Sequence, residues 1–181
     1  MESLLSAWIA EENSKAILAT MLGHFQREVR ETALRVVATN RLGAMPETWI
    51  PVLNERLDQA APGDLPLLLD AIRSLPGDAF NDKVRRISRD EEHPQSLRLR
   101  ALAAMKGLGM DSTTFETLAG VIGNASSSPA ARIQAAQMLA AGNLGEERHM
   151  TIAPWFRHAD PILLKVMTPF WRGRSSRRRR V

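Results

Sequence analysis

The sequence predicts an all-α fold, an α-solenoid of about five antiparallel helix pairs stacked in a row. Two observations lead there: a helix-forming composition and an apolar pattern that returns every 34 residues. Of 181 residues, 44% are apolar but only 5% aromatic, and Tyr and Cys are absent. Ala and Leu dominate and favour helices, while the aromatic residues that favour strands are scarce. A chain of this length buries a substantial core as one domain.

The period is visible in three stretches, VRETALRVV, LRLRALAAM and ARIQAAQML. In each an arginine stands three residues before an alanine (Arg30/Ala33, Arg98/Ala101, Arg132/Ala135), and the arginines lie 68 and 34 residues apart. The same step gives two apolar registers, Leu34, Leu68, Leu102, Ala136, Phe170 and Val37, Ala71, Met105, Leu139. The intervening segments, which were not used to find the period, repeat it as Ile50, Val84, Leu118, Ile152 and Leu53, Ile87, Val121, Trp155. Apolar residues at i and i+3 make one stripe of a helix, so each copy contributes two helices.

The elements follow in order. Residues 3–22 supply an opening helix or helices, broken near Asn13-Ser14. First helices are expected at 49–59, 82–90, 114–124 and 148–158, and second helices at 28–42, 64–75, 95–107 and 129–141, with a last one near 162–171. Gly43, Gly77 and Gly109 are read as the stops of second helices, with Pro46 just beyond one of them. Pro94, Pro129 and Pro161 suit first turns, and Pro51 and Pro66 fall early enough to be tolerated. Pro169 should kink or end the final helix. Asn81-Asp82 and Asp111-Ser112 are candidate N-caps.

These residues resemble HEAT-like repeats, especially short bacterial versions related to phycobilin-lyase-type repeats. The resemblance rests on an acid near the end of the first helix, a proline in the connection and Arg-x-x-Ala opening the second helix. Here Glu92-His93-Pro94 precedes Arg98, and Ser126-Ser127-Ser128-Pro129 precedes Arg132. The acidic slot reads Asp58, Glu92, Ser126, Asp160, while position 64 is Asp where Arg is expected. The resemblance implies a right-handed, armadillo-type solenoid over residues 1–171 and an acid–arginine ladder between layers, with Glu92 and Arg98 as partners.

Charge is uneven. The net is +4, yet Arg172, Arg174, Arg177, Arg178, Arg179 and Arg180 lie in the last ten residues, and residues 1–171 alone carry a net of −2. Residues 172–181 are expected to form a disordered basic tail. Four to six cations there would give a log–log salt slope of about −4 to −5 on duplex DNA. Met1-Glu2-Ser3 lacks the flank of a secretory signal, and no apolar run reaches the roughly 18–20 residues of a membrane span. A cytoplasmic chain is expected.

Chemistry is sparse. The absence of cysteine excludes a thiol nucleophile, a disulfide framework and Cys-held metals. His24, His93, His149 and His158 have no metal-ligand spacing, and the adjacent pairs Glu11-Glu12, Glu91-Glu92 and Glu146-Glu147 point in different directions on a helix. No catalytic residue and no cofactor are therefore assigned. The favoured reading is a non-catalytic scaffold for another protein, or for the rest of a larger polypeptide. Its contact residues would be Arg35, Arg98, Arg100 and Arg132 on second helices and Trp155, Phe156, Phe170 and Trp171 at the aromatic end. A second reading is nucleic-acid association, phosphates being held by Arg177, Arg178, Arg179 and Arg180 with help from the repeat arginines. A third is a HEAT-like lyase or DNA glycosylase-type enzyme, whose expected Trp and Asp cluster is missing because Trp8, Trp49, Trp155 and Trp171 are scattered.

Overall fold

The structure, a computed structural model, describes residues 12–40, 42–107, 110–141, 148, 150 and 151. Among these residues there are eight helices and no strand. In chain order they are α1 (Glu12–Leu22), α2 (Arg27–Thr39), α3 (Trp49–Gln59), α4 (Leu65–Ser74), α5 (Asn81–Arg89), α6 (Gln95–Ala104), α7 (Ser112–Gly123) and α8 (Pro129–Ala141). None is long and apolar enough to cross a membrane. The chain forms two compact units, Met1–Gly107 and Leu108–Val181.

In the first unit the second helices pack in sequence, α2 against α4 and α4 against α6. Helix α1 packs on α2 and α3, and α5 packs on α6. The repeated apolar positions supply the core. Leu34, Leu68 and Leu102 are buried, as are Val37, Ala71 and Met105. Each buried leucine contributes roughly 1.5–3 kcal/mol of transfer free energy. Ala33 and Ala101 have no exposed surface, as small residues at a close helix contact should. Helix α6 lies between α4 and α5, which explains why Leu97, Leu99, Ala101, Leu102 and Ala104 are buried around most of its circumference.

In the second unit α7 packs on α8 and repeats the same registers. Leu118 and Val121 are buried on the first helix, and Ala135, Ala136 and Leu139 on the second. The expected cap is present: Asp111 Oδ1 accepts from Thr114 N at 2.7 Å. The expected first helix at 148–158 is helical at Arg148, Met150 and Thr151, and its remainder lies outside the described residues. Arg148 sits over the Phe115 ring at 5.4 Å and donates to the Met110 carbonyl.

The connections after α5 and α7 repeat as well as the helices. Asp90 Oδ1 accepts from Glu92 N at 3.0 Å, and Asn124 Oδ1 accepts from Ser126 N at 2.9 Å, the same turn one period later. His93 N bonds to Asp90 O as Ser127 N bonds to Asn124 O, and Arg98 N to Pro94 O as Arg132 N to Ser128 O. The 34-residue step thus holds at the level of individual main-chain bonds.

Helix α1 begins at Glu12, with Ser14 buried in the core, and the expected interruption of the opening segment falls where the described residues begin, residues 1–11 lying outside them. Three expectations need correction. Asn81 does not cap α5; its amide donates to Lys106 O at 2.7 Å and accepts from Lys106 N at 2.9 Å, tying the end of α6 to the start of α5. Second helices end in an extended residue (Asn40, Leu75, Met105) whose N–H bonds back to Val37, Ile72 or Leu102, so glycine is not the stop itself. Gly77 and Gly107 follow with positive φ, and Gly109 lies outside the described residues. Finally, Arg98 and Glu92 do not pair: Glu92 is exposed, and Asp58 in the same slot instead meets Lys83 at 2.5 Å.

The prolines fall as expected where they are described. Pro51 and Pro66 occupy the first turns of α3 and α4, Pro94 is the extended N-cap of α6, and Pro129 opens α8. Pro161 and Pro169 lie outside the described residues, as do the last predicted helix near 162–171 and the tail.

Candidate functional site

Two of the charged side chains predicted to bind a partner, Arg35 and Arg100, lie on the row of second helices and are compensated. Arg35 Nη2 meets Glu31 at 3.0 Å, and the same glutamate receives Arg27 Nε at 2.8 Å. Arg27 Nη2 reaches from α2 to Asp64 at the head of α4, 2.8 Å away. Arg100 on α6 faces Asp70 on α4 at 3.5 Å. Position 64, which breaks the arginine pattern as Val166 also does, is therefore where Arg27 of the previous copy finds its acid.

The other repeat arginines point inward. Arg30 Nη1 donates to His24 O at 2.9 Å and Phe25 O at 2.7 Å. Arg132 Nε donates to Ile122 O in the last turn of α7, at 3.1 Å. Arg98 is half-buried, with an Nε that has no hydrogen-bond partner. Of the predicted contact residues, then, Arg35 and Arg100 lie on the α2–α4–α6 row with acidic partners, Arg132 is turned to the α7 main chain, and Arg98 is half-buried. Trp155, Phe156, Phe170, Trp171, Arg177, Arg178, Arg179 and Arg180 lie outside the described residues.

Two concavities flank this row in the first unit. At the amino-terminal ends of α2 and α4, a cavity of about 70 Å³ is lined by the apolar Leu22, Leu34, Leu67 and Leu68 and by the charged Arg27, Arg30, Arg56, Glu31 and Asp64. Arg56 comes from α3 and donates Nη2 to Gly23 O at 2.8 Å, while its Nε is buried without a hydrogen-bond partner. Neither α2 nor α4 has a side-chain cap, so the positive ends of two helices open on the same place.

At the opposite, carboxyl-terminal ends lies a wider groove of about 650 Å³, lined by Thr39, Asp70, Arg73, Ser74 and Lys106 among others. Lys106 Nζ donates to Arg73 O at 2.5 Å, and Ser74 Oγ to Val37 O at 2.7 Å. Burial, and secondarily the Arg73 guanidinium, hold the Lys106 ammonium below its usual 10.5. This end presents helix carbonyls, which favour cations, and Lys106 already supplies one.

Neither concavity brings together a nucleophile and a base: the acids of the first are engaged by Arg27, and the second is a set of helix-capping groups. Among the described residues no group of three or more His, Asp or Glu is placed to hold a metal. Sequence reasoning missed Arg27, Arg56, Lys106 and the cavity. The available signal was Asp64 itself, whose departure from the arginine register marks an altered junction between copies.

The class these features define is an all-α protein. No family model, curated protein or solved structure matches the chain.

Proposed function

We propose that the chain is a non-catalytic interaction scaffold, a HEAT-like α-solenoid that holds a protein partner on the row of second helices α2, α4 and α6. The reading is carried by the reach of its contacts. Side-chain hydrogen bonds and ion pairs joining different helix pairs span 25 to 38 positions, among them Trp49–Lys15, Arg56–Gly23, Ser74–Val37, Lys83–Asp58 and Lys106–Arg73. Within the first unit each pair is fastened to the next one along, as in the contact topology of a stacked array. Such an array builds faces rather than a central cleft.

The charge on the α2–α4–α6 row supports a protein partner over a phosphate backbone. Arg27, Arg35 and Arg100 are matched by Glu31, Asp64 and Asp70, and a mixed, paired surface of this kind suits protein recognition. A phosphate track needs uncompensated cations.

The test is photocross-linking from single positions in the full chain. A benzophenone amino acid at the exposed Thr32 or Ser96, on second helices, should capture one and the same protein. The same probe at the exposed Glu55 or Arg86, on first helices, should not. Equal labelling from all four positions, or none alongside turnover of a small molecule, would remove the scaffold reading.

A further inference from the structure

We propose that the cavity between α2 and α4 is a carboxylate pocket, which takes an aspartate or glutamate side chain from the partner with an apolar residue beside it. This rests on the reading of the chain as a protein-binding scaffold.

Volume sets the scale. About 70 Å³ is room for roughly two waters or one carboxylate group. The donors are in place beforehand. Arg30 and Arg56 come from different helices, yet both donate into the same tripeptide, Gly23-His24-Phe25. Those bonds fix the two guanidiniums and leave other N–H groups unspent, including the buried Arg56 Nε. A preorganised fork loses little freedom on binding and matches the two oxygens of a carboxylate.

Charge decides between carboxylate and phosphate. Three arginines face two acids around the cavity, so the lining carries one excess positive charge. A single carboxylate neutralises it. A phosphate monoester, at about −1.5 to −2, overshoots and lies against Glu31 and Asp64. The apolar lining residues Leu22, Leu34, Leu67 and Leu68 account for the neighbouring apolar residue. Phe25, whose carbonyl is held by Arg30, leaves its ring 82% exposed and stacked on His24, a further apolar surface close along the chain.

The experiment follows the Arg30 and Arg56 Nε–Hε signals of the ¹⁵N-labelled full chain during titration with N-acetyl-Leu-Asp-Leu-amide. Both should shift saturably. The Leu-Asn-Leu analogue should bind at least tenfold more weakly, and inorganic phosphate should give no saturable shift. Arg56→Gln should abolish the response. Gly63→Leu gives an independent block: Gly63 lines the cavity, and a Cβ there would meet only Arg27 Nη2, at 4.0 Å. It keeps every arginine and should still abolish binding. The pocket is overturned by absence of a saturable shift (a cavity that holds water only), by equal binding of the Asn analogue, by tighter binding of phosphate, or by indifference to Gly63→Leu. The cross-linking positions lie outside this cavity. A failed titration beside positive cross-links therefore removes the pocket alone, and a positive titration beside failed cross-links removes the partner face alone.

Discussion

Arg30, Arg56 and Arg132 each turn a guanidinium to a main-chain carbonyl at or just past the end of a first helix. Those carbonyls lack helical partners and carry the negative end of the dipole, so a cation there is stabilising by about 0.3–1 kcal/mol where exposed and more where partly buried. The Arg-x-x-Ala signature was legible in the sequence, but its partner was not. Every residue has a carbonyl, so the sequence does not single one out, and the resemblance to HEAT-like repeats implies instead an acid partner, the Glu92–Arg98 ladder that the fold does not make. Trp49 was equally hidden: it has no exposed surface and donates Nε1–H to Lys15 O at 2.9 Å, one period back. Trp49→Phe removes that donor and leaves a void, and should cost about 1–3 kcal/mol in urea unfolding. An unchanged midpoint would mean the indole bond contributes nothing. Lys106 offers a pH test. Its folded value lies below the unfolded 10.5, so between the two the unfolded chain binds more protons and stability rises with pH. Arg73→Gln should move the Lys106 titration, read from its ¹³Cε shift, part of the way back toward 10.5. No movement would leave burial as the sole cause.

Helix positions were the most legible feature, because apolar spacing reports which face is buried whatever the neighbours are. Helices α3 and α8 fall on their expected bounds, and the other described ones differ by a few residues at their ends. Element ends were harder to read, because a terminus can be satisfied by several kinds of partner. Asn81 has the chemistry of a cap but spends it on Lys106, 25 residues away. Gly43 and Gly77 read alike in sequence yet differ in the fold, since only Gly77 has a positive φ, of 82°. Neither would bring an added Cβ within 4 Å of another group. Gly77→Ala should therefore destabilise by about 1–2 kcal/mol through backbone conformation alone. Gly43→Ala should be neutral or stabilise by up to about 1 kcal/mol by restricting the unfolded chain. Paired thermal melts would show the contrast, and equal shifts would contradict it.

At the scale of the molecule, one 34-residue step runs through the buried core registers of both compact units, as the proposed translation of a two-helix unit requires. Core registers, Asx turns and side-chain ties recur at or near the same step, which is why the cavity lies between copies rather than within one. The candidate site was only partly legible for the same reason. It is made where Asp64 breaks the pattern, and a sequence repeat advertises what is constant. The most direct measurement excises one period, residues 61–94, joining Ala60 to Gln95 and keeping the 34-residue register. Helix α6 then takes the place of α4 against α2, with Leu102 where Leu68 stood, at the expense of the Arg27–Asp64 pair. Stacked pairs held by neighbour contacts predict a shortened chain that stays helical by circular dichroism and melts in a single cooperative transition at lower temperature. A product without a cooperative transition would show that the core is one indivisible globule and contradict the translated unit.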